Sequence, residues 1–284
     1  MQGFISTIIP TLDDPLIGQV VLLAQQELAS RGEIIVVGRD EARRVPRDGT
    51  VRFIDTGKPV GAATARNLGI QAAKGNYLFF LDADCLVQPG WADILIAHLS
   101  EGKKVVGGGV LSPTSNYWTL VYNISMFHEF LSESPPGLKR YLPTLNLAVH
   151  REVVERVGLM DESMQRGQDI DWTIRMALAG YQLYFEPRAA IVHFPRRTNM
   201  ATVWRYGLLS GHFSARNRAR YAAYYETPPL LQRPFWVRLL SPVVAAFVTV
   251  KMFTQNPCLL RYCHTAPAIY LTKIAWCLGV AAGS

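Results

Sequence analysis

The chain has 284 residues, of which 49% are hydrophobic, and it carries 29 Lys and Arg against 22 Asp and Glu. This length permits one large domain, or one domain with an appendage, and the composition supports a sizeable core. The charge is uneven, because residues 187–284 hold twelve basic side chains and one acid, which leaves −4 for the rest of the chain. A basic, apolar tail suits anionic lipid or a phosphate-bearing substrate, and no nucleic-acid-binding motif accompanies it.

The cysteine pattern and the N-terminus bear on the cellular compartment. None of the four cysteines forms a Cys-x-x-Cys pair, so we expect free thiols in a reducing environment. The N-terminus enters an apolar, β-rich run almost at once, so no cleavable signal is expected. These features predict a cytoplasmic protein.

The first 85 residues predict strands alternating with helices. Apolar runs indicate strands at 3–9, 33–37, 51–55 and 77–81. A helix is predicted to begin at Asp14-Pro15, where a capping residue precedes proline, and a second helix covers 61–74. Strands with helical crossovers indicate a parallel, Rossmann-like sheet. Neither Gly-x-Gly-x-x-Gly nor a P-loop is present, which argues against dinucleotides and P-loop chemistry.

Two carboxylates end the fourth predicted strand. Asp82 and Asp84 follow the buried run 77–81, at the sheet edge where open α/β sheets bind ligands. They share a face if the extended backbone continues that far. Two neighbouring carboxylates are costly unless a cation or another group compensates them. The pair predicts a divalent metal site that carries a polyphosphate, and the alternative is an acidic turn in solvent.

The next part of the chain predicts further helices and strands. A helix at 90–99 precedes a strand at 104–111, whose glycines at 107–109 allow close backbone approach. The aromatic segment 116–138 is expected to be partly mobile. A helix at 169–179 places Asp169 in its first turn, where the helix dipole keeps a carboxylate ionised.

Several spaced motifs, covering about two thirds of the chain, resemble family-2 glycosyltransferases of the GT-A fold. They are Ile8-Ile9-Pro10-Thr11, Gly61-Ala62-Ala63-Thr64-Ala65-Arg66-Asn67-Leu68-Gly69, Ala73-Lys74-Gly75-Asn76-Tyr77, Asp82-Ala83-Asp84, Leu145-Asn146-Leu147-Ala148 and Gly167-Gln168-Asp169-Ile170-Asp171-Trp172. The resemblance implies an α/β, mostly parallel central sheet with helices on both faces, plus a C-terminal helical appendage. The implied catalytic domain is 1–195, with a nucleotide-sugar half at 1–111 and an acceptor half at 112–195, followed by a tail at 196–284.

The resemblance also implies roles at the nucleotide edge of the sheet. Pro10 and Thr11 would contact the donor, Arg66 would orient its pyrophosphate or the acid pair, and Asp82 would accept a ribose hydroxyl. Asp40 is the candidate contact to the base. It stands one or two residues later than the acid of the family's Val-Asp-Asp-type turn, so uracil recognition is less certain here.

The metal and the general base are assigned in the same way. Asp84 would hold Mg²⁺ or Mn²⁺, and His193 would complete the metal shell unless it is structural. Asp169 is the candidate base that removes the acceptor hydroxyl's proton, and its alternative role is a helix cap. The family usually has Glu-Asp where this chain has Gln168-Asp169, so the base is kept and the preceding acid is lost. Trp172 would line the acceptor sugar or belong to the core.

The sequence therefore predicts a metal-dependent inverting glycosyltransferase that uses a nucleoside-diphosphate sugar, with a UDP-sugar as the first candidate. The acceptor would be a glycan or a polyprenyl-diphosphate-linked glycan, and no nucleic acid is expected. The alternatives are an inactive sugar-nucleotide-binding protein and a nucleotidyltransferase.

The tail predicts either membrane-surface contact or packing on protein. Its apolar segments, 238–253 and 266–283, contain lysine, and the first also contains proline, so neither is expected to span a bilayer. Arginine-flanked apolar helices fit peripheral association with the inner face of the cell membrane. The alternative is packing on the catalytic domain or on a second subunit in a homodimer.

Overall fold

The computed structural model describes residues 3–47 and 49–283. The described residues form two compact units, the first made of 3–111 and 135–193 and the second of 112–134 and 194–283. The predicted acceptor half, 112–195, is therefore divided between them. Its opening segment groups with the C-terminal residues because apolar side chains of 120–124 belong to the core of the second unit.

The chain alternates strands and helices up to residue 193 and is helical beyond it. The strands are β1 (Ile5–Leu12), β2 (Gly32–Arg39), β3 (Arg52–Asp55), β4 (Tyr77–Leu81), β5 (Cys85–Val87), β6 (Val105–Leu111), β7 (Gly137–Leu138), β8 (Asn146–His150) and β9 (Leu183–His193). The helices are α1 (Ile17–Leu28), α2 (Ala62–Ala72), α3 (Trp91–Ser100), α4 (Tyr117–Phe127), α5 (Arg151–Val157), α6 (Gln168–Leu178), α7 (Met200–Arg220), α8 (Pro234–Leu239), α9 (Ser241–Gln255) and α10 (Ala266–Gly283).

One mixed sheet organises the first unit. Its strand order is β3-β2-β1-β4-β8-β6-β9-β5, and β7 pairs with β9. The first four strands are parallel, as predicted. Beyond β4 the sheet is mixed rather than mostly parallel, because β8 runs antiparallel to both β4 and β6. Every residue of β4 is buried, so this strand lies in the core and its C-terminal end opens at the edge predicted to bind a ligand.

Local sequence accounts for the first helix. The buried residues of α1 are Ile17, Val20, Val21, Ala24 and Leu28, which have the spacing of one helix face. The carboxylate of Asp14 accepts a hydrogen bond from the Leu16 N–H (2.9 Å), close to the predicted start.

The β6 glycines are needed for close packing at an irregularity of the sheet. The β6–β9 ladder shifts register between Gly108 and Val110. A Cβ on Gly108 would lie 2.2 Å from both the Ala189 carbonyl oxygen and Asn146 Nδ2. Nδ2 of Asn146 donates to the carbonyls of Gly109 (3.1 Å) and Ala189 (2.8 Å), and its Oδ1 accepts from the Trp91 indole (2.8 Å). The buried amide of Asn146 thus forms hydrogen bonds to three other elements, α3, β6 and β9.

The second unit is helical throughout its regular structure. Part of the segment 116–138 forms helix α4, whose N-cap Asn116 accepts hydrogen bonds from the backbone N–H groups of Trp118 and Thr119. It forms because Leu120, Val121, Tyr122 and Ile124 are buried against α9 and α10 residues of the same unit. The sequence Ser134-Pro135-Pro136 indicates a turn after this segment, but it gives no information about the packing of α4.

Glycines line the contact between α7 and α10. Gly207 and Gly211 on α7 face α10, where Gly279 and Gly283 face α7 in return. A Cβ on Gly211 would lie 2.0 Å from the carbonyl oxygen of Trp276, and one on Gly279 would lie 2.0 Å from the carbonyl oxygen of Leu208. The two Gly-x-x-x-Gly runs therefore let the backbones approach closely, as small residues do between apolar helices.

One helical segment of the described chain, Pro257–Gly283, is long and apolar enough to cross a membrane, with a mean hydropathy of 1.3 over its best window. Residues 266–283 were not expected to span a bilayer because they contain Lys273. The structure makes the segment longer, because a 3-10 helix at Pro257–Thr265 runs directly into α10. Of that window, 39% is buried within the protein.

Candidate active site at the carboxyl edge of the sheet

The two acids after β4 lie in a turn rather than on an extended strand. The N–H of Cys85 donates to the carbonyl of Asp82 (3.1 Å), which returns the chain into β5. Both carboxylates are half-buried. The backbone is therefore not extended through Asp82 and Asp84, so the two side chains do not share a strand face. Each acid contacts different neighbouring residues.

Asp82 pairs with a buried arginine from α2. Nη2 of Arg66 lies 2.5 Å from Oδ1 of Asp82, and the Arg66 side chain is 5% exposed. The Nε of Arg66 is also buried, and no hydrogen-bond partner for it exists among the described residues. A buried guanidinium with an unused donor is costly in an apolar setting, so it marks a place where an anionic ligand would be favourable.

Asp169 belongs to the same electrostatic cluster. It lies in the first turn of α6, as predicted. Burial raises the pKa of its carboxyl above the ordinary value, the positive charge of Arg66 opposes that rise, and the negative charge of Asp82 adds to it. Arg66, Asp82 and Asp169 come from three separate elements of the fold, and together they form one cluster at the end of β4.

Asp84 has a different set of neighbours. Its Oδ2 lies 3.6 Å from Nε2 of His193, and its Oδ1 lies 3.6 Å from Sγ of Cys85. Cys85 and His193 are direct partners in the antiparallel β5–β9 pair. Directly opposed residues of such a pair project to the same face of the sheet, so the two side chains converge.

These three side chains offer a donor set for a cation. One ligand atom from each of Asp84, Cys85 and His193 lies within 4.8 Å of the others. The carboxylate and imidazole suit Mn²⁺, whereas Mg²⁺ prefers oxygen ligands. Cys85 was not singled out in the sequence analysis, and its direct position after Asp84 was the available signal. Burial, with help from the negative charges of Asp84 and Asp82, raises the pKa of its thiol well above the ordinary value, so the thiol is neutral.

The end of β1 supplies a further polar group. Thr11 pairs with Gly38 of β2, and a Cβ at Gly38 would lie 1.9 Å from the Thr11 carbonyl oxygen, so only glycine fits there. The Thr11 hydroxyl is buried and has no hydrogen-bond partner among the described residues. Pro10 precedes it and is opposite Val37. This hydroxyl is available to a ligand at the carboxyl end of the parallel strands.

Asp40 is placed differently from a free base-reading carboxylate. It accepts hydrogen bonds from the backbone N–H groups of Arg44 (3.0 Å) and Val45 (2.9 Å), and its side chain is fully buried. Nη2 of Arg47 lies 3.4 Å away. Through these contacts the Asp40 carboxylate stabilises the loop that follows β2. The prediction that Asp40 contacts the nucleotide base therefore rests on the sequence alone.

Several neighbouring side chains have structural roles. Asn67 holds the 160–162 segment, since its amide donates to the Met160 carbonyl (3.0 Å) and to Glu162 (2.9 Å). Trp172 is fully buried and packs edge-on to Phe80, so it belongs to the core rather than to a sugar-contacting surface. Oε1 of Gln168 is buried without a partner among the described residues, a feature that the sequence did not reveal.

A second buried acid lies in the same unit. Glu186 on β9 contacts His98 (2.6 Å) and receives two hydrogen bonds from the Arg188 guanidinium, at 2.9 and 3.0 Å. The Arg188 hydrogen bonds are the main cause that lowers the pKa of Glu186 to about 2, and His98 contributes to the same direction. His98 lies 88 residues before Glu186, so no local pattern predicted their contact.

The fold and this arrangement define a GT-A glycosyltransferase class. In solved structures the chain resembles the mannosyltransferase PcManGT from Pyrobaculum calidifontis, with a TM-score of 0.58 and 16% identity, over 96% of this chain and 86% of that one. GalNAc-T7 is similar with a TM-score of 0.55 and 17% identity, over 80% of this chain and 52% of that one. At such low identity these likenesses establish the fold.

Sequence comparison then gives the family. Residues 22–158 match the family described as Glycosyl transferase family 2, which supports a family-2 glycosyltransferase. Glycosyltransferase AglE from Haloferax volcanii is 29% identical over 194 residues, which are 64% of this chain and 64% of that protein. The pre-mycofactocin glycosyltransferase of Mycobacterium tuberculosis is 28% identical over 140 residues, 47% of this chain and 30% of that protein. The chain thus spans less than two thirds of these relatives.

Proposed function

We propose that the first unit transfers a sugar from a nucleoside-diphosphate donor to an acceptor hydroxyl, with inversion at the anomeric carbon. The observation that carries this proposal is the cluster of Arg66, Asp82 and Asp169 at the carboxyl end of β4. A buried arginine suits the donor's anionic diphosphate, and a carboxylate nearby suits proton removal from an acceptor. The match of residues 22–158 to Glycosyl transferase family 2 supports the same reaction class.

Asp169 is the proposed general base. The acceptor oxygen attacks the anomeric carbon and forms the new glycosidic bond, while its proton passes to the Asp169 carboxylate. The bond between the anomeric carbon and the phosphate oxygen breaks, and the nucleoside diphosphate leaves with the electron pair. The raised pKa of Asp169 supports this role, because a base whose pKa lies closer to neutrality accepts a proton more readily while it remains ionised.

Asp84 and His193 are the proposed holders of Mg²⁺ or Mn²⁺, with Cys85 within reach of the same position. When bound, the cation would supply positive charge that neutralises the departing diphosphate. GalNAc-T7 and PcManGT were both solved with Mn²⁺, which supports Mn²⁺ as the first metal to test. Arg66 would supply further positive charge from the protein itself.

The donor edge is proposed to include Pro10, Thr11 and Asp82. The unpartnered Thr11 hydroxyl supports a ligand contact there, and Asp82 would accept a ribose hydroxyl. For Asp40 we propose an indirect role, in which it shapes the 40–47 loop beside β2. GalNAc-T7 was solved with UDP and PcManGT with GDP-Man, so a UDP-sugar remains the first candidate and GDP-sugars the second.

The acceptor is proposed to be a glycan or a polyprenyl-diphosphate-linked glycan, used at the cytoplasmic face of a membrane. The support is compositional, since residues 227–283 hold five basic side chains and no acid. Guanidinium groups bind diphosphates as bidentate donors, and clustered cations favour anionic lipid surfaces.

A donor screen tests the proposal. UDP-, GDP- and dTDP-sugars would be offered with Mn²⁺ or Mg²⁺, and nucleoside-diphosphate release would be measured with and without chelator. We expect one donor class to give metal-dependent turnover that Asp169→Asn abolishes while donor binding persists. Donor binding without any turnover in the native chain would favour an inactive binding protein. Release of pyrophosphate instead of nucleoside diphosphate would favour nucleotidyl transfer.

A further inference from the structure

Helices α8 and α9 of the second unit expose a row of large apolar side chains, which we name the α8–α9 stripe. Phe235 and Leu239 on α8 are one turn apart, and Val243, Phe247 and Val250 on α9 recur at intervals of four and three residues. Residues at such intervals share one face of a helix. The five side chains are between 57% and 67% exposed.

The opposite side of α9 is already used in the unit's own core. Met252 and Phe253 are buried with α4 and α10 residues in one apolar cluster. Ala245 and Thr249 are buried as well. Helix α9 is therefore apolar on its buried side and again on its exposed side, which burial in the unit alone does not explain. Isolated exposed apolar residues are ordinary, whereas a contiguous row indicates an interaction surface.

The side chains around the stripe are positively charged, which favours an anionic partner. Arg233, Arg238 and Lys251 are exposed on the same helices or immediately before them. No acid occurs between residues 227 and 283, so no described carboxylate of this segment offsets them. Two copies meeting through this face would bring the same cations together, since a twofold interface places identical patches opposite each other. A lipid bilayer with anionic headgroups would match both the apolar stripe and the positive charge beside it.

We propose that the α8–α9 stripe inserts into the interfacial layer of an anionic phospholipid bilayer, with Arg233, Arg238 and Lys251 at the level of the headgroups. A helix lying in the membrane plane buries its apolar side chains among the acyl chains and keeps its cations at the lipid phosphates. This inference deepens the proposed peripheral location and does not depend on the sugar-transfer reaction. It assigns membrane contact to named side chains rather than to the tail as a whole.

Vesicle co-sedimentation of the full chain tests this surface. The probes are phosphatidylglycerol–phosphatidylcholine vesicles and pure phosphatidylcholine vesicles, at low and high salt. We expect binding to the anionic vesicles that weakens with salt. The triple variant Val243→Ser, Phe247→Ser, Val250→Ser should lower the partition coefficient by roughly tenfold or more, because three apolar groups no longer enter the bilayer. Arg233→Gln with Arg238→Gln should reduce binding to anionic vesicles selectively.

A matched control comes from the first unit. Leu138 and Leu178 are each 61% exposed, comparable with the stripe residues, but they stand outside it. The double variant Leu138→Ser, Leu178→Ser should bind vesicles like the native chain. All the substituted side chains are exposed, so circular dichroism and the melting temperature should show that each variant is folded.

Two results would overturn the proposal. One is unchanged vesicle binding by the triple stripe variant. The other is a native dimer, detected by light scattering, that becomes monomeric in the stripe variant while no chain binds vesicles, which would assign the surface to a second copy. Neither readout involves a sugar donor, so the proposed reaction and this membrane surface can fail separately.

Discussion

The two units of this protein differ in what their distinctive residues do. The first unit brings acids together at one edge of its sheet, whereas the second relies on glycines between helices and on basic side chains. In the first unit, a buried strand ends in two acids at the edge of a sheet, where Arg66 pairs with Asp82 and His193 lies 3.6 Å from Asp84. In the second unit, glycines bring α7 and α10 into backbone contact, and its last segment holds cations without any acid. The first arrangement suits chemistry on a charged ligand, and the second suits tight helix packing beside an anionic surface.

The largest expected effect falls on the proposed base of the first unit. Asp169→Asn should lower kcat by about a thousandfold and leave donor binding nearly unchanged, because the amide cannot accept the acceptor's proton. The native acidic limb of kcat/KM should lie above the ordinary aspartate pKa, since burial raises the pKa of Asp169. Steady-state kinetics over a range of pH would measure both.

Asp93 provides the control for this substitution. It also lies in the first turn of a helix, α3, but its side chain is 68% exposed and pairs with Arg31 at the surface. Asp93→Asn should retain native kcat and the native pH profile. Equal losses in the two variants would mean that Asp169 acts only on helix stability.

The next effect concerns the cation. His193→Ala should weaken Mn²⁺ binding at least about tenfold in the presence of nucleotide, because one of the three converging side chains is removed. Cys85→Ser should have a smaller effect, since it keeps a neutral polar group of similar size. Titration calorimetry would give the affinities, with His264→Ala in the exposed part of the second unit as control. Native affinity in His193→Ala would exclude His193 as a ligand.

The helix contact of the second unit gives a prediction about stability. Gly211→Ala should lower the free energy of unfolding by about 2 kcal/mol or more, because the new Cβ would meet the Trp276 backbone, which cannot move aside alone. Gly61→Ala is a suitable comparison, since nothing lies within 4 Å of its Cβ position, and its effect should stay below about 1 kcal/mol. Urea unfolding would measure both, and equal effects would mean that the α7–α10 backbone contact is not limiting.

The smallest effect is the acid sensitivity of Glu186. Its folded pKa of about 2 lies below its ordinary value of 4.5, so its contribution to stability is complete above about pH 4.5 and is lost as the pH falls toward 2. Glu186→Gln should cost roughly 2 kcal/mol at pH 7 and less at pH 3. Urea unfolding at both pH values tests this, with the exposed Glu155→Gln as control. A cost that does not change with pH would contradict the charge explanation.

The sequence was most informative where the determining contacts are local. The first four strands follow from apolar runs, and the Asp171–Arg175 pair follows from its spacing of four residues, with Nε and Oδ2 at 2.9 Å. The turn after Asp82 was not foreseen, because an extended continuation and a tight turn begin with the same residues. Glu186 and His98 pair across 88 residues, and no periodicity reports such a contact.

The second unit was less predictable for a related reason. Helix α4 contains an aromatic run followed by Ser-Pro-Pro-Gly, which signals irregular structure locally, yet burial in a core contributed by residues over 100 positions later makes it helical. The site roles rest on motif spacing, whereas the grouping of Arg66 and Asp82 with Asp169 required the fold. For Asp40 the sequence predicted the position after β2 correctly but did not predict the contacts. Its carboxylate accepts hydrogen bonds from the backbone of its own loop.

Asn146 shows how a family motif can have an architectural basis. Its carboxamide accepts a hydrogen bond from the Trp91 indole and donates to the carbonyls of Gly109 and Ala189, where the β6–β9 register shifts. Aspartate lacks the donor and leucine lacks both functions, so neither near-isostere can replace it. The Leu-Asn-Leu-Ala motif of this chain therefore places a carboxamide where the β6–β9 register shifts, and that carboxamide bonds to three other elements of the fold.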